Sequence, residues 1–255
     1  MSEFHELAST LRQYLNFKGF AVGIKLLKEE DLKALEGRSH RFRPGLLMCQ
    51  LFNAARLYGW TFIVKAEEAE CILGAVSLGL REPTEDMESG ELFVKLGYAP
   101  NKELGRKFYE GIPKLPPEYR GVLVAPLERS PLKPDLVFIY CNAAQLIRLI
   151  QAYNRRRCER LTFSSIGDVG TCGDGVAYTM LTRRPQVVLP CYGDRRFGHI
   201  EDDLMVFATP IEYLQEIAEG LAETHKLGVR YPVPIAGITS PLIIPDIILA
   251  KVRET

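Results

Sequence analysis

No two of the six cysteines in this sequence, at positions 49, 71, 141, 158, 172 and 191, form a close C-x-x-C pair. That excludes a zinc ribbon or a redox dithiol built on local spacing. An excess of charge is also missing. Thirty-two Lys and Arg balance thirty-two Asp and Glu, so no global field draws the chain to nucleic acid or to an anionic membrane. Long hydrophobic runs are scarce. A bilayer-spanning helix needs roughly 18 or more consecutive apolar residues, and the apolar stretch ITSPLIIPDIILAKV at 238–252 is shorter and is broken by Pro241 and Pro245. The N-terminus, MSEFHELASTLRQYL, has acidic residues where an export signal carries a basic region and an apolar run. Its spacing fits an amphipathic helix, and a cytoplasmic protein is expected.

What is present is an ordinary globular composition: 255 residues, 47% hydrophobic and 25% charged, enough to bury a large core. The chain also repeats itself weakly. An offset of 101 lays Asn53, Arg56, Thr61, Phe62, Cys71, Gly74 and Leu80 onto Asn154, Arg157, Thr162, Phe163, Cys172, Gly175 and Leu181. Those seven identities fall in the 28 ungapped positions from 53 to 80, where chance gives roughly two. Two related halves are expected, 1–130 and 131–255, divided at the proline-containing stretch ERSPLKP and possessing pseudo-twofold symmetry. Equivalent loops would then meet at the junction, where ligand sites form preferentially.

Hydrophobic periodicity predicts strands in GFAVGIKLL, WTFIVKA, ELFVKLG, GVLVAPL, PDLVFIYC, LTFSSI, QVVLPCYG and DLMVFAT. Helices are predicted in PGLLMCQLFNAARLYG, opening at Pro44, and in CILGAVSLGL, KELGRKFYEGI, NAAQLIRLIQAYNRRRC with Asn142 as its cap, and PIEYLQEIAEGLAETHKL with Pro210 in its first turn. REPTEDMESGE reads as a surface loop. The alternation indicates an α/β or α+β fold with mixed sheets.

Two segments concentrate chemistry. GDVGTCGDG at 167–175 sets Gly170, Gly173 and Asp174 around Cys172, and such glycine density implies positive φ or close approach of another group. Free backbone N–H groups at the following helix start would attract an anion or lower the Cys172 pKa. The segment lacks the Lys-Ser/Thr pair of a P-loop and the G-x-G-x-x-G dinucleotide spacing. The plainer alternative is a tight turn with a buried, inert cysteine. PCYGDRRFGHIEDD at 190–203 places Gly193, Asp194, Arg195, Arg196 and His199 behind Cys191. Arg195 and Arg196 could clamp a carboxylate or phosphate and stabilise a Cys191 thiolate. Alternatively they pair with Glu201, Asp202 and Asp203 on a solvated turn.

Cys49 falls on the apolar face of its helix, and Cys71 follows a strand at the start of another. Cys141 and Cys158 are left outside the site. Cys49, Cys71, Cys172 and Cys191 make a four-thiolate set divided evenly between the halves, suited to an iron-sulfur cluster or a tetrahedral zinc. The first reading is a redox or sulfur-handling protein binding such a cluster, with Arg195 and the N–H groups near Cys172 holding an anionic or redox partner. The competing readings are a metal-free module for a small anionic ligand or cofactor, with inert thiols or a Cys71–Cys172 disulfide, and thiol catalysis by Cys172 or Cys191 with His199 as base.

These same residues resemble an archaeal and bacterial family known as domain of unknown function 169. The resemblance runs over most of the chain and rests on AECILGAVSLGL around Cys71, PDLVFIYCNAAQLIRLIQAY from 134 to 153, CGDGVA at Cys172, and LPCYGDRRF followed by DDLMVFATP. It implies a shared fold and shared site positions. The family has no settled activity, so no substrate is implied.

Overall fold

The computed structural model of the chain describes residues 3–36 and 45–233. Pro44 and the apolar tail at 238–252 lie outside the described residues. Helix α1 (Glu3–Leu15) leads into β1 (Val22–Leu27) and α2 (Glu29–Ala34), and α3 (Met48–Tyr58), β2 (Phe62–Lys65) and α4 (Ile72–Ser77) follow. Three helices, α5 (Glu85–Glu88), α6 (Glu91–Lys95) and α7 (Lys102–Gly111), precede the strands β3 (Gly121–Pro126) and β4 (Leu136–Cys141). Beyond α8 (Ala143–Asn154), a π-helix at Gly170–Ala177 runs directly into α9 (Tyr178–Thr182). The described chain ends with β5 (Gln186–Val188), α10 (Tyr192–Arg196), β6 (Met205–Pro210) and α11 (Leu214–Lys226).

The strands form one six-stranded open sheet in the order β2-β3-β1-β4-β6-β5, and its pairings are all antiparallel. The fold is therefore mixed α and β, with a single antiparallel sheet in place of the expected mixed sheets. The sequence misled for a physical reason. β3 and β4 are buried on both faces, and a continuous apolar run is the pattern usually associated with covered parallel strands. On one face Val22, Ile24, Val122, Val124, Leu136, Phe138 and Val206 pack against α3, α4 and the π-helix. On the other, Val137, Ile139 and Phe207 meet α1, α8 and α11. The N-terminal helix is amphipathic as predicted, with Leu7, Leu11 and Leu15 buried at four-residue spacing.

The strand order is mirrored about the β1–β4 pairing, but the offset of 101 does not generate it. That offset lays β2 onto residues 163–166, which form no strand and are largely exposed. The strand that flanks β6 as β2 flanks β3 is β5. Nor do the helices follow the mirrored order, since α3 covers one sheet face and α8 the other. Two strand expectations are corrected. LTFSSI has no partner strand because β5 occupies that edge. ELFVKLG is helical, with only Phe93 fully buried, a segment too short for periodicity to separate helix from strand. REPTEDMESGE contains the short helix α5, and Pro210 closes β6 ahead of a 3-10 turn that enters α11.

Candidate cysteine-lined site

Four separate elements each bring a cysteine to one place. Cys49 lies in the first turn of α3, whose start is fixed by the Leu47 N–H donating to the Gln50 side chain at 2.8 Å. Cys71 is the N-cap of α4, and its sulfur accepts the Gly74 N–H at 3.4 Å. Cys172 sits in the first turn of the π-helix, a wide-turn geometry often found at functional sites. Cys191 caps α10. A cavity of about 210 Å³ is lined by all four. Both the Cys71 and Cys172 sulfurs lie within 3.6 Å of where a Gly74 Cβ would stand.

Asp194 holds this arrangement together. Its buried carboxylate accepts the Thr171 N–H at 2.9 Å, the Thr171 hydroxyl at 2.5 Å and the Cys191 N–H at 3.0 Å. The π-helix start and the α10 start are thereby tied to a single side chain. The glycines of the expected loop act through close approach: with the exception of Gly167 at φ +84°, those at 170, 173 and 175 do not adopt positive φ, which falls instead on Val169. A Cβ on Gly175 would lie 2.7 Å from the Phe138 ring, so glycine lets the π-helix rest directly on β4.

The remaining lining is apolar, with Met48, Leu73, Leu96, Val169 and Phe197 prominent, and it includes Tyr98, Asp168 and Asp194. Among the described residues no Lys, Arg or His lines the cavity. Burial pushes the thiols up, Cys49 and Cys191 to about 12 and Cys172 well above its ordinary value; Cys71 rises for the same reason. The negative Asp194 adds to the rise at Cys49 and Cys191. Backbone N–H groups oppose it, from Gln50 at Cys49, from Gly74 and Leu73 at Cys71, and from Gly170 and Asp194 at Cys191. The expectation of a lowered Cys172 pKa is overturned, because burial raises it and the neighbouring Cys71 and Asp194 charges add to the rise.

Of the residues picked from sequence, the four cysteines, Gly193 and Asp194 line the cavity, whereas Gly170, Gly173, Asp174 and Arg195 do not. Arg195 turns away and donates to the carbonyls of Glu201 at 2.6 Å and Leu204 at 3.3 Å. It therefore organises the loop after α10 and does not line the cavity beside Cys191. Asp174 is buried within the π-helix, where dehydration raises its carboxyl to about 6. His199 is exposed, at φ +56°, and does not face the cavity. Cys141 is buried on the opposite sheet face and Cys158 is exposed. All six thiols are free, so Cys71 and Cys172 are not bridged. Among the described residues no three His, Cys, Asp or Glu side chains are grouped to hold one metal ion.

Asp168 and Tyr98 were missed. Asp168 is buried beside the Cys191 thiol and the Tyr98 hydroxyl, its pKa raised mainly by dehydration, with Oδ2 lacking a hydrogen-bond partner. It lies in the glycine-rich segment already singled out, so its position was a usable signal. Tyr98 lies in the turn after α6, and nothing in the local sequence marks it.

The family model for domain of unknown function 169, described as an uncharacterised ArCR, matches residues 10–220. The chain belongs to this family. Domain of unknown function 169 thus covers all four cavity cysteines, β1 to β6 and most of α11. The chain is also similar to the uncharacterized protein MJ0308 of Methanocaldococcus jannaschii, 28% identical over 224 residues, covering 87% of this chain and 94% of that protein. No solved structure matches. Among the described residues no helix is long and apolar enough to cross a membrane.

Proposed function

We propose that Cys49, Cys71, Cys172 and Cys191 bind an iron-sulfur cluster and that the protein acts in cytoplasmic redox or sulfur-handling chemistry. The observation that carries this reading is the meeting of four cysteines from four elements at one apolar cavity, with backbone N–H groups directed at three of the sulfurs. Hydrogen bonds to cysteine sulfur and exclusion of solvent are the means by which proteins tune such clusters. The donor set fits the group. Around a single zinc the sulfurs would converge at about 2.3 Å from one ion, an arrangement the side chains do not adopt. In a cluster each thiolate caps a different iron, which suits a more open set and a cavity several times the roughly 30 Å³ share of one water.

A bound cluster would supply electron transfer or an iron site for substrate. The chain's own residues position the thiolates, exclude water and neutralise charge through backbone dipoles. The metal-free anion-binding reading is less favoured because, among the described residues, the cavity presents carboxylates and no cation. Thiol catalysis lacks a lowered thiol pKa and, among the described residues, a histidine lining the cavity. The two sequence halves, 1–130 and 131–255, would each contribute two thiolates, and the exposed Tyr192 and Phe197 beside the cavity offer a redox partner an apolar rim.

Anaerobic reconstitution with iron and sulfide provides the test. The expected product is brown, absorbs near roughly 400 nm and contains iron and acid-labile sulfide. Replacing Cys71, Cys172 or Cys191 by Ser should remove most of this absorbance, and Cys158→Ser should leave it intact. Colourless, iron-free protein after reconstitution would defeat the assignment.

A further inference from the structure

A second cavity, of about 140 Å³, is lined by polar side chains that the cysteine site does not use. Arg56 of α3 is its most deeply buried member, with no exposure. Its Nη1 and Nη2 donate to Glu201 at 2.8 and 2.6 Å, Nη1 also reaches Asn53 at 3.1 Å, and the guanidinium lies 5.0 Å from the Tyr140 ring centre. Two buried polar atoms remain without a partner, the Arg56 Nε and the Tyr140 hydroxyl. Such groups are rarely left unsatisfied in folded proteins, and both residues belong to the wall of this cavity.

The rim determines which acceptor fits. The Arg56 and Glu201 charges cancel in their two-bond pair. Lys18 and Asp203 also line the cavity, both exposed, and neither forms an ion pair among the described residues. One cation and one carboxylate are therefore left over. The Tyr231 hydroxyl, held by the Asn142 amide at 3.0 Å, adds a further polar group. The volume equals several waters at roughly 30 Å³ each, which allows a ligand of only a few heavy atoms.

We propose that this cavity binds a small zwitterion of the α-amino acid type. Its carboxylate meets the Arg56 Nε–H, the Tyr140 hydroxyl and Lys18, and its ammonium meets Asp203. The site stands apart from the cysteine cavity, with α3 and Tyr140 contributing to both neighbourhoods, and it does not depend on a cluster being bound.

Isothermal titration calorimetry on the metal-free full chain tests this, with glycine, alanine and serine as probes and propionate and ethylamine as single-charge controls. Saturable heat is expected for at least one amino acid, with both controls weaker by about tenfold or more. Lys18→Met and Asp203→Asn, both surface changes, should each weaken binding by about ten- to a hundredfold without altering the melting temperature. Tyr140→Phe should weaken it as well. Absence of saturable heat with all three amino acids would overturn the inference and leave the cavity to water. Equal binding of propionate, or binding unchanged in both surface variants, would overturn the zwitterionic class.

Discussion

The Asp194 carboxylate grips Thr171 twice, its Oδ1 accepting the hydroxyl at 2.5 Å and its Oδ2 the backbone N–H at 2.9 Å. Because Oδ2 also accepts the Cys191 N–H, this contact fixes the spacing between Cys172 and Cys191. Asp194→Ala orphans buried donors at both helix starts and should destabilise the protein by about 2–4 kcal/mol. Asp194→Asn keeps one acceptor and should be milder. Chemical denaturation of the metal-free protein, followed by iron content after reconstitution, separates the loss of stability from the loss of site.

Gly74→Ala tests occupancy without removing a ligand. The added methyl would lie 3.2 Å from the Cys172 sulfur and 3.6 Å from that of Cys71, inside the space between them. Position 74 is helical, so alanine should leave metal-free stability within about 1 kcal/mol of the parent or raise it. Cluster loading, read by absorbance and iron analysis, should fall sharply. Full loading of the variant would show that nothing sits between those sulfurs.

Gly175→Ala should act on the fold itself. Its Cβ would meet the Phe138 ring at 2.7 Å, forcing the π-helix off β4, and overpacking of this kind costs about 1–3 kcal/mol. A truncating second change, Phe138→Leu, should recover part of the loss. Additive destabilisation in the double variant would mean that the two positions do not press on one another.

Stability on the acid side should depend on Glu201. Its carboxyl is held below the usual glutamate range chiefly by the hydrogen bonds from Arg56. A depressed folded value means that the stabilisation is complete above the unfolded glutamate pKa and disappears as pH falls through the folded one. Glu201→Gln should lower stability at neutral pH by about 1–2 kcal/mol, a modest figure because the glutamate side chain is 38% exposed while Arg56 is fully buried. The same change should flatten the acid limb of the stability curve, as measured by melting temperature against pH.

Local chemistry was the legible part of this chain. Asn142 caps α8 through the Gln145 N–H at 2.9 Å, Cys71 caps α4, and β1, β3, β4 and β6 lie where apolar runs predicted them. Such features depend on residues within a few positions of one another, so the sequence by itself determined them, together with the candidacy of the four cysteines. Only tertiary structure decided that the sheet is antiparallel, that β5 and not residues 161–166 forms its far edge, and that Arg195 faces backbone carbonyls. It alone brought Tyr98 and Asp168 to the same cavity as thiols up to 142 positions apart. Strand pairing and cavity walls arise from contacts between distant segments, and the dehydration that raises the cysteine pKa values comes from what packs over them.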